Sequence, residues 1–269
     1  MTTSPTIAAL LADDRLAEAA GEAVGALRAR PQDLSLRLLL IDLLILQGDY
    51  ARADAQAEIA ARLQPAEAVG IARLRGLLRG MEARRQWFEA GAVPSFPGGP
   101  SPCDEAALRL GLALRIGEAD AAASALRELE DARGLRPALV GLSEEEDVRD
   151  ADDRFAHAVE AVTDGGAYLW TDTSRIASIE LQPASRPRDL AWRRARLELR
   201  DGSGSDVLLP LIYEAKASSD AERLGRSTDW EDQPGGIVTG RGQRCVLAGD
   251  ALVALGEIER IVFREIAHG

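Results

Sequence analysis

Two proline-terminated segments of near-identical grammar constrain this chain more than any other feature. "DRLAEAAGEAVGALRARP" ends at Pro31 and "GDYARADAQAEIAARLQP" ends at Pro65, 34 residues later. That is the period of a tetratricopeptide-like helical hairpin. A third segment, "GEADAAASALRELEDARG" at 117–134, restores the pattern about two periods beyond Gly48. In each, small residues let paired helices approach while leucines form an inner stripe. Companion helices are expected at 34–47 and 105–116. A further helix is expected across "VGIARLRGLLRGMEARRQWFEAG", which carries Met81, Trp87 and Phe88. Helices should dominate residues 1–135.

"VPSFPGGPSPCDE", 93–105, reads as a Pro/Gly/Ser tether whose Asp104 caps the next helix. Beyond "RGLRPALVGLSEEEDVRDADDRF" the pattern changes to strands. "AYLWTDTSRIASIEL" supplies two short strands around a turn near 172–174. "RRARLELRDGSGSDVLLPLIY" places Ala195, Leu197 and Leu199 on one face, then an Asp-Gly turn, then another apolar strand. "GQRCVLAGDALVALGEIERIVF" adds a strand at 244–247, a Gly-Asp turn and a closing strand around 258–263. The expected fold is α+β: N-terminal tetratricopeptide-like helical repeats (1–135) followed by a small, largely antiparallel α+β domain (136–269).

Hydrophobic residues are 46% of the 269 and charged residues 28%, enough apolar surface for a substantial core. A net charge of -12 argues against nucleic acid or an anionic membrane as partner, because the averaged field repels both. The N-terminal stretch lacks the basic, then apolar, pattern of a secretory signal. The longest apolar run, "LRLLLIDLLILQG", is interrupted by Asp42 and falls short of the roughly 20 residues that cross a bilayer. A cytoplasmic location is expected. Cys103 and Cys245 are too few for a disulfide framework and read as free thiols.

Catalytic patterns are scarce. Walker, dinucleotide-binding, paired-cysteine zinc and HExxH motifs are absent from the sequence. His157, expected on a helix in "DRFAHAVEAV", and His268 have no His or Cys at ligand spacing. The acidic run "EEEDVRDADD" lacks the glycine and final glutamate of an EF-hand and reads as a solvated, acidic helix start. Ser143 lacks the glycine of a nucleophile elbow, and Cys245 sits in an apolar strand. The one enzymatic alternative is a metal-dependent nuclease. Asp206, Glu214 and Lys216 follow an acid then Glu-x-Lys order, with the latter two on one strand face. The acidic charge opposes it, and no cofactor or metal is expected.

"LLILQGDYARADAQ", "RLRGLLRGMEARRQWFEAGAVPSF", "SRIASIELQPASRPRDLAWRRARLELRDG", "LGRSTDW" and "GQRCVLAGD" occur in an order that resembles the ImpE/TagJ accessory proteins of bacterial type VI secretion, also labelled SciE-type virulence proteins. The resemblance spans roughly residues 30–265. The family's patterned positions fall on Arg84, Arg85 and Phe88, on Arg175, Ile176 and Ile179, on Arg188, Asp189, Leu190 and Trp192, and on Thr228, Asp229 and Trp230. After Tyr213 the chain departs from the family's proline-glycine turn and carries Glu214, Ala215 and Lys216 instead. The resemblance implies a non-enzymatic cytoplasmic factor that binds the N-terminal helix of the small contractile-sheath subunit. It also implies a link with the ATPase that disassembles contracted sheath. The competing expectation is a helical-repeat scaffold with a different protein partner.

Within "RPRDLAWRRARL", Trp192 is expected to cover apolar surface while Arg188, Arg193 or Arg194 meets an acid from the neighbouring layer. Trp230 is expected to plug the second domain's core, with Asp229 accepting local backbone hydrogen bonds. Tyr168 and Trp170, with Arg188 and Trp192, are the expected partner-binding residues at a sheet edge or at the junction with the helices.

Overall fold

The computed structural model describes residues 5–215 and 218–264. Among them the N-terminal half is helical: α1 (Pro5–Ala12), α2 (Leu16–Ala29), α3 (Leu34–Leu46), α4 (Tyr50–Leu63), α5 (Ala68–Ala90), α6 (Pro102–Ile116) and α7 (Ala119–Arg133). Asp33 and Asp49 start α3 and α4 by accepting from the amides of Leu36 and Arg52, at 3.0 and 3.1 Å. Gly91 and Gly117 end α5 and α6 in the left-handed region, φ 76° and 78°, where a side chain would be strained. The cap of α6 is Ser101 rather than Asp104. Ser101 Oγ accepts from the Asp104 amide, and the Asp104 carboxylate accepts from the Ser101 amide, a reciprocal box one turn earlier than expected.

Successive helices pack on one another from α1 to α5, and α6 packs on α7, forming a helical bundle. Ten of the thirteen residues of α3 are buried, so this helix is enclosed on nearly every side. Its uncovered flank meets the 3-10 turn Pro187–Leu190 of the second half.

The second half is β-rich, and α8 (Asp220–Arg223) is its single α-helix among the described residues. One sheet has eight strands, in the order β2 (Ser143–Glu145), β1 (Ala138–Val140), β14 (Arg260–Phe263), β6 (Ile176–Leu181), β7 (Trp192–Leu199), β8 (Gly204–Pro210), β4 (Ala158–Val162) and β5 (Tyr168–Asp172). Two three-stranded sheets accompany it. One runs β10 (Thr228–Gln233), β11 (Ile237–Gln243), β9 (Ile212–Tyr213), and the other β13 (Ala251–Ala254), β12 (Cys245–Ala248), β3 (Val148–Asp150). Every pairing between these strands is antiparallel. The hairpin turn at Asp201-Gly202 and the Gly-Asp turn at 249–250 fall where expected.

Two local expectations are corrected. His157 is not helical: a 3-10 turn at Asp153–Phe155 leads directly into β4, which pairs with β5 along its whole length. The β4–β5 hairpin ladder overrides the helical preference of an alanine-rich stretch. Nor is the acidic run a solvated helix start. It forms β2 and β3, Asp152 is buried, and the Asp150 side chain is only 6% exposed.

The large sheet is covered on both faces. One core cluster runs from the helices into Phe155, Val162, Trp170, Trp192 and Leu208. On the other side Ile179, Ala195, Val207 and Leu209 pack with Val246, Leu255 and Phe263. This explains why β8 reads as the continuous buried run Val207 to Pro210 rather than as an alternation. Helix α5 lies against the β4–β5 hairpin through glycines. A Cβ added at Gly80 would sit 2.2 Å from Val162 Cγ1, and one at Gly76 2.2 Å from the Asp164 carbonyl oxygen. Gly80→Ala, although a better helix former, should therefore destabilise the protein by about 1–3 kcal/mol in urea unfolding through overpacking. A stabilised variant would contradict this close approach.

Candidate functional site

The junction of helices and sheets is organised by Glu160, an acid in the middle of β4 with 1% exposure. Arg84, from α5, grips it with two bonds: Nε to Oε1 at 3.0 Å and Nη2 to Oε2 at 3.1 Å. Arg244, just before β12, donates to the same Oε2, and its Nε donates to Asp150 at the end of β3. Tyr168 donates its hydroxyl to Glu160 and receives the indole N–H of Trp170 at 2.6 Å. Tyr213, in β9, donates to Asp150 at 2.9 Å and accepts from the Cys245 amide at 3.1 Å. Burial alone would raise the carboxyl pKa of Glu160, but Arg84 and Arg244 hold it down to about 2. Burial likewise lowers the pKa of both arginines, and the surrounding carboxylates outweigh it, so both remain cationic. For Asp150, burial outweighs Arg244 and raises its pKa.

Aromatic rings insulate this network. Trp170 takes Trp87, Phe155 and Phe96 edge-on, with centroids 5.0, 5.4 and 6.1 Å away. Arg84 and Arg154 lie over the ring of Phe88 at 5.3 and 5.1 Å.

Beside the network opens a cleft of about 290 Å³, walled by α3, α4 and α5 on one side and by the chain around β9 and α8 on the other. Its lining includes the charged residues Arg84, Arg85, Arg223, Glu89 and Glu214, and Tyr50. Arg85 stacks over Tyr50, 4.7 Å from the ring centroid, and donates to the Gly48 carbonyl. Glu214 bridges Arg84 at 3.1 Å and Arg85 at 3.5 Å. Burial raises the pKa of the Tyr50 hydroxyl to about 12.

The expected site residues divide sharply. Tyr168, Trp170 and Trp192 have 4%, 1% and 1% exposure, so the expectation that they anchor a partner is corrected: they are core. Their aromatic surface is consumed by packing helix against sheet. Arg188 instead crosses the layers to Asp42 of α3 at 3.2 Å, as expected for the segment around Trp192. Arg175 pins the 93–101 loop by donating to the carbonyls of Pro97 and Gly99, at 2.7 and 2.6 Å, and Ile176 is in the core. Asp189 holds its own turn through the amides of Ser185 and Arg186. Trp230 is half-buried, edge-on to Tyr213 at 6.0 Å, and is no core plug, because β10 is an edge strand. Asp229 does accept from the Trp230 amide at 3.0 Å and pairs with Arg241, while Thr228 donates to the Gln243 carbonyl.

The nuclease constellation is not assembled. Asp206 is exposed on β8 and lies 3.5 Å from Arg196, whereas Glu214 lies beyond the end of β9 and is held by Arg84 and Arg85. Lys216 and His268 lie outside the described residues. Among the described residues no group of three or more His, Cys, Asp or Glu is gathered so as to hold a metal ion. His157 is buried against Asp104 at 3.1 Å, and both cysteines are buried free thiols. No described helix is long and apolar enough to cross a membrane.

Sequence reasoning found Arg84 and Arg85 but missed Glu160, Arg244, Asp150, Tyr50 and Arg223. The available signal was an acid inside an apolar strand, "AVEAV".

A helical bundle locked onto a double-faced antiparallel sheet, with a polar cleft at the seam, defines a class that the comparisons identify. Residues 143–262 match the model of the ImpE protein family. The type VI secretion system accessory component TagJ of Pseudomonas aeruginosa is 32% identical over 255 residues, covering 93% of this chain and 89% of that protein. The crystal structure of protein VPA1032 from Vibrio parahaemolyticus shares the fold, with a TM-score of 0.90, 24% identity, and coverage of 97% of this chain and 98% of that one. The chain belongs to the ImpE/TagJ family.

Asp42 offers a test of the seam. Burial pushes its pKa from 3.8 up to about 6 despite Arg188, and its Oδ2 is buried without a hydrogen-bond partner. Folding thus favours the protonated acid. This contribution to stability is fully present below the unfolded pKa of 3.8 and is lost as pH rises through about 6. In urea unfolding, Asp42→Asn should gain about 1–3 kcal/mol on the wild type between pH ~4 and ~7. A difference that does not change with pH would contradict it.

Proposed function

We propose that this protein is a non-enzymatic accessory component of type VI secretion that binds the N-terminal helix of the small contractile-sheath subunit. In that role it assists sheath assembly, or recycling by the sheath-disassembling ATPase, in the cytoplasm. The observation that carries this reading is the near end-to-end similarity to a protein named as a type VI secretion accessory component. The helical half is read as tetratricopeptide-like hairpins, and residues 1–135 and 136–269 as two domains sharing one seam.

The seam is the preferred docking place. Most leucines of the bundle are spent packing helix on helix, and the aromatics of β5 are buried, so neither supplies a free apolar floor. The cleft at the seam presents polar groups from both halves. An amphipathic helix lying across it would contact both.

Calorimetric titration with a peptide copying the N-terminal helix of the same organism's small sheath subunit should show saturable binding. A proline-broken control should not bind, and Arg85→Glu should weaken binding roughly tenfold, as loss of one well-placed charged contact does. Equal affinity for the intact and broken peptides would rule out helix capture.

A further inference from the structure

Two donors in the cleft lack the partners that their chemistry calls for. Arg223 is held by the carbonyls of Gln47 and Ser218, yet among the described residues it has no carboxylate partner. Tyr50 is 7% exposed, and its hydroxyl makes no hydrogen bond among the described residues although the charges of Glu214, Arg84, Arg85 and Arg223 act on it. Tyr50 lines the cleft and its hydroxyl is not fully enclosed, so the phenol can donate to an acceptor bound there. One acceptor is already in the cleft: Glu214, whose side chain is 18% exposed, against Arg84 and Arg85.

We propose that the cleft receives a carboxylate, an Asp or Glu side chain of a partner protein, and that Glu214 is the internal occupant it displaces. Exchange leaves no guanidinium bare. Arg84 keeps both bonds to Glu160, and Arg85 keeps Glu82 at 3.3 Å. The incoming carboxylate takes the bonds Glu214 gives up and supplies the acceptor that Arg223 and Tyr50 lack. The cleft, at about 290 Å³, holds an acidic side chain together with part of its backbone. A phosphate dianion would bring a second negative charge next to Glu89 and Glu214, whereas a carboxylate exchanges with Glu214 one charge for one. The inference does not rest on which protein brings the acid, and it stands apart from the sheath reading.

The test is calorimetric titration of the full chain with the α-amide of N-acetylglutamate, which carries a single carboxylate, at fixed ionic strength with chloride as the balancing anion. The glutamate amide should bind saturably, and Glu214→Gln should bind it roughly tenfold more tightly because the internal competitor is gone. Tyr50→Phe and Arg223→Gln, shown to be folded by unchanged circular dichroism, should each bind it roughly tenfold more weakly. Equal affinities for the wild type and Glu214→Gln would overturn the proposal. So would indifference to Tyr50→Phe and Arg223→Gln, or tighter binding of inorganic phosphate than of the glutamate amide. If the glutamate amide behaves as expected and the sheath peptide does not bind, the sheath reading alone falls.

Discussion

A carboxylate in the middle of a strand, removed from water, is the constraint around which the rest of the molecule is arranged. An unpaired Glu160 would be prohibitively costly in this interior, so β4 is stable only where arginines from elsewhere reach it. Arg84 arrives from the helical bundle and Arg244 from the small-sheet side, which forces the three layers into one relative position. Apolar packing alone would tolerate sliding of α5 over the β4–β5 hairpin. The two-pronged Arg84 contact and the glycine approach at Gly76 and Gly80 do not.

The cleft follows from the same arrangement. Arg84 spends two of its nitrogens on Glu160 and turns its remaining one toward Glu214, so the structural network and the polar wall of the cleft share a side chain. The neighbouring Arg85 faces the cleft over Tyr50. A protein that works by holding another polypeptide needs a rigid seam with a few adaptable groups at its rim. On the proposed reading, the rigid part is the buried ion network, and the group open to exchange at its rim is Glu214, held by Arg84 and Arg85.

What was legible in the sequence was local. The proline and glycine punctuation, the leucine stripes and the Asp-Gly turn mark α2 to α7 and the β7–β8 hairpin, because those pairings are between neighbours in sequence. The order of strands was not legible. β14 inserts between β1 and β6, and β5 and β6, adjacent in sequence, lie at different places in the sheet. Arg84 and Arg85 were visible as part of a family-like motif. The acid that Arg84 grips was not, because Glu160 lies 76 positions from Arg84 and 84 from Arg244. Periodicity gives no information on such a pairing. The aromatic residues were noticed for their chemistry, and were misplaced because a tryptophan reads alike whether it plugs a core or waits at a surface.

The central claim is that Arg84 and Glu160 lock the helices onto the sheet, and a double-mutant cycle tests it most directly. Urea unfolding at neutral pH would be compared for the wild type, Arg84→Met, Glu160→Met and the double variant. Each single change should cost about 3–5 kcal/mol by leaving buried charge uncompensated. The double variant should cost less than their sum by about 1–3 kcal/mol. Strictly additive losses, or singles that cost nothing, would mean that the bundle and the sheets hold together by apolar packing alone.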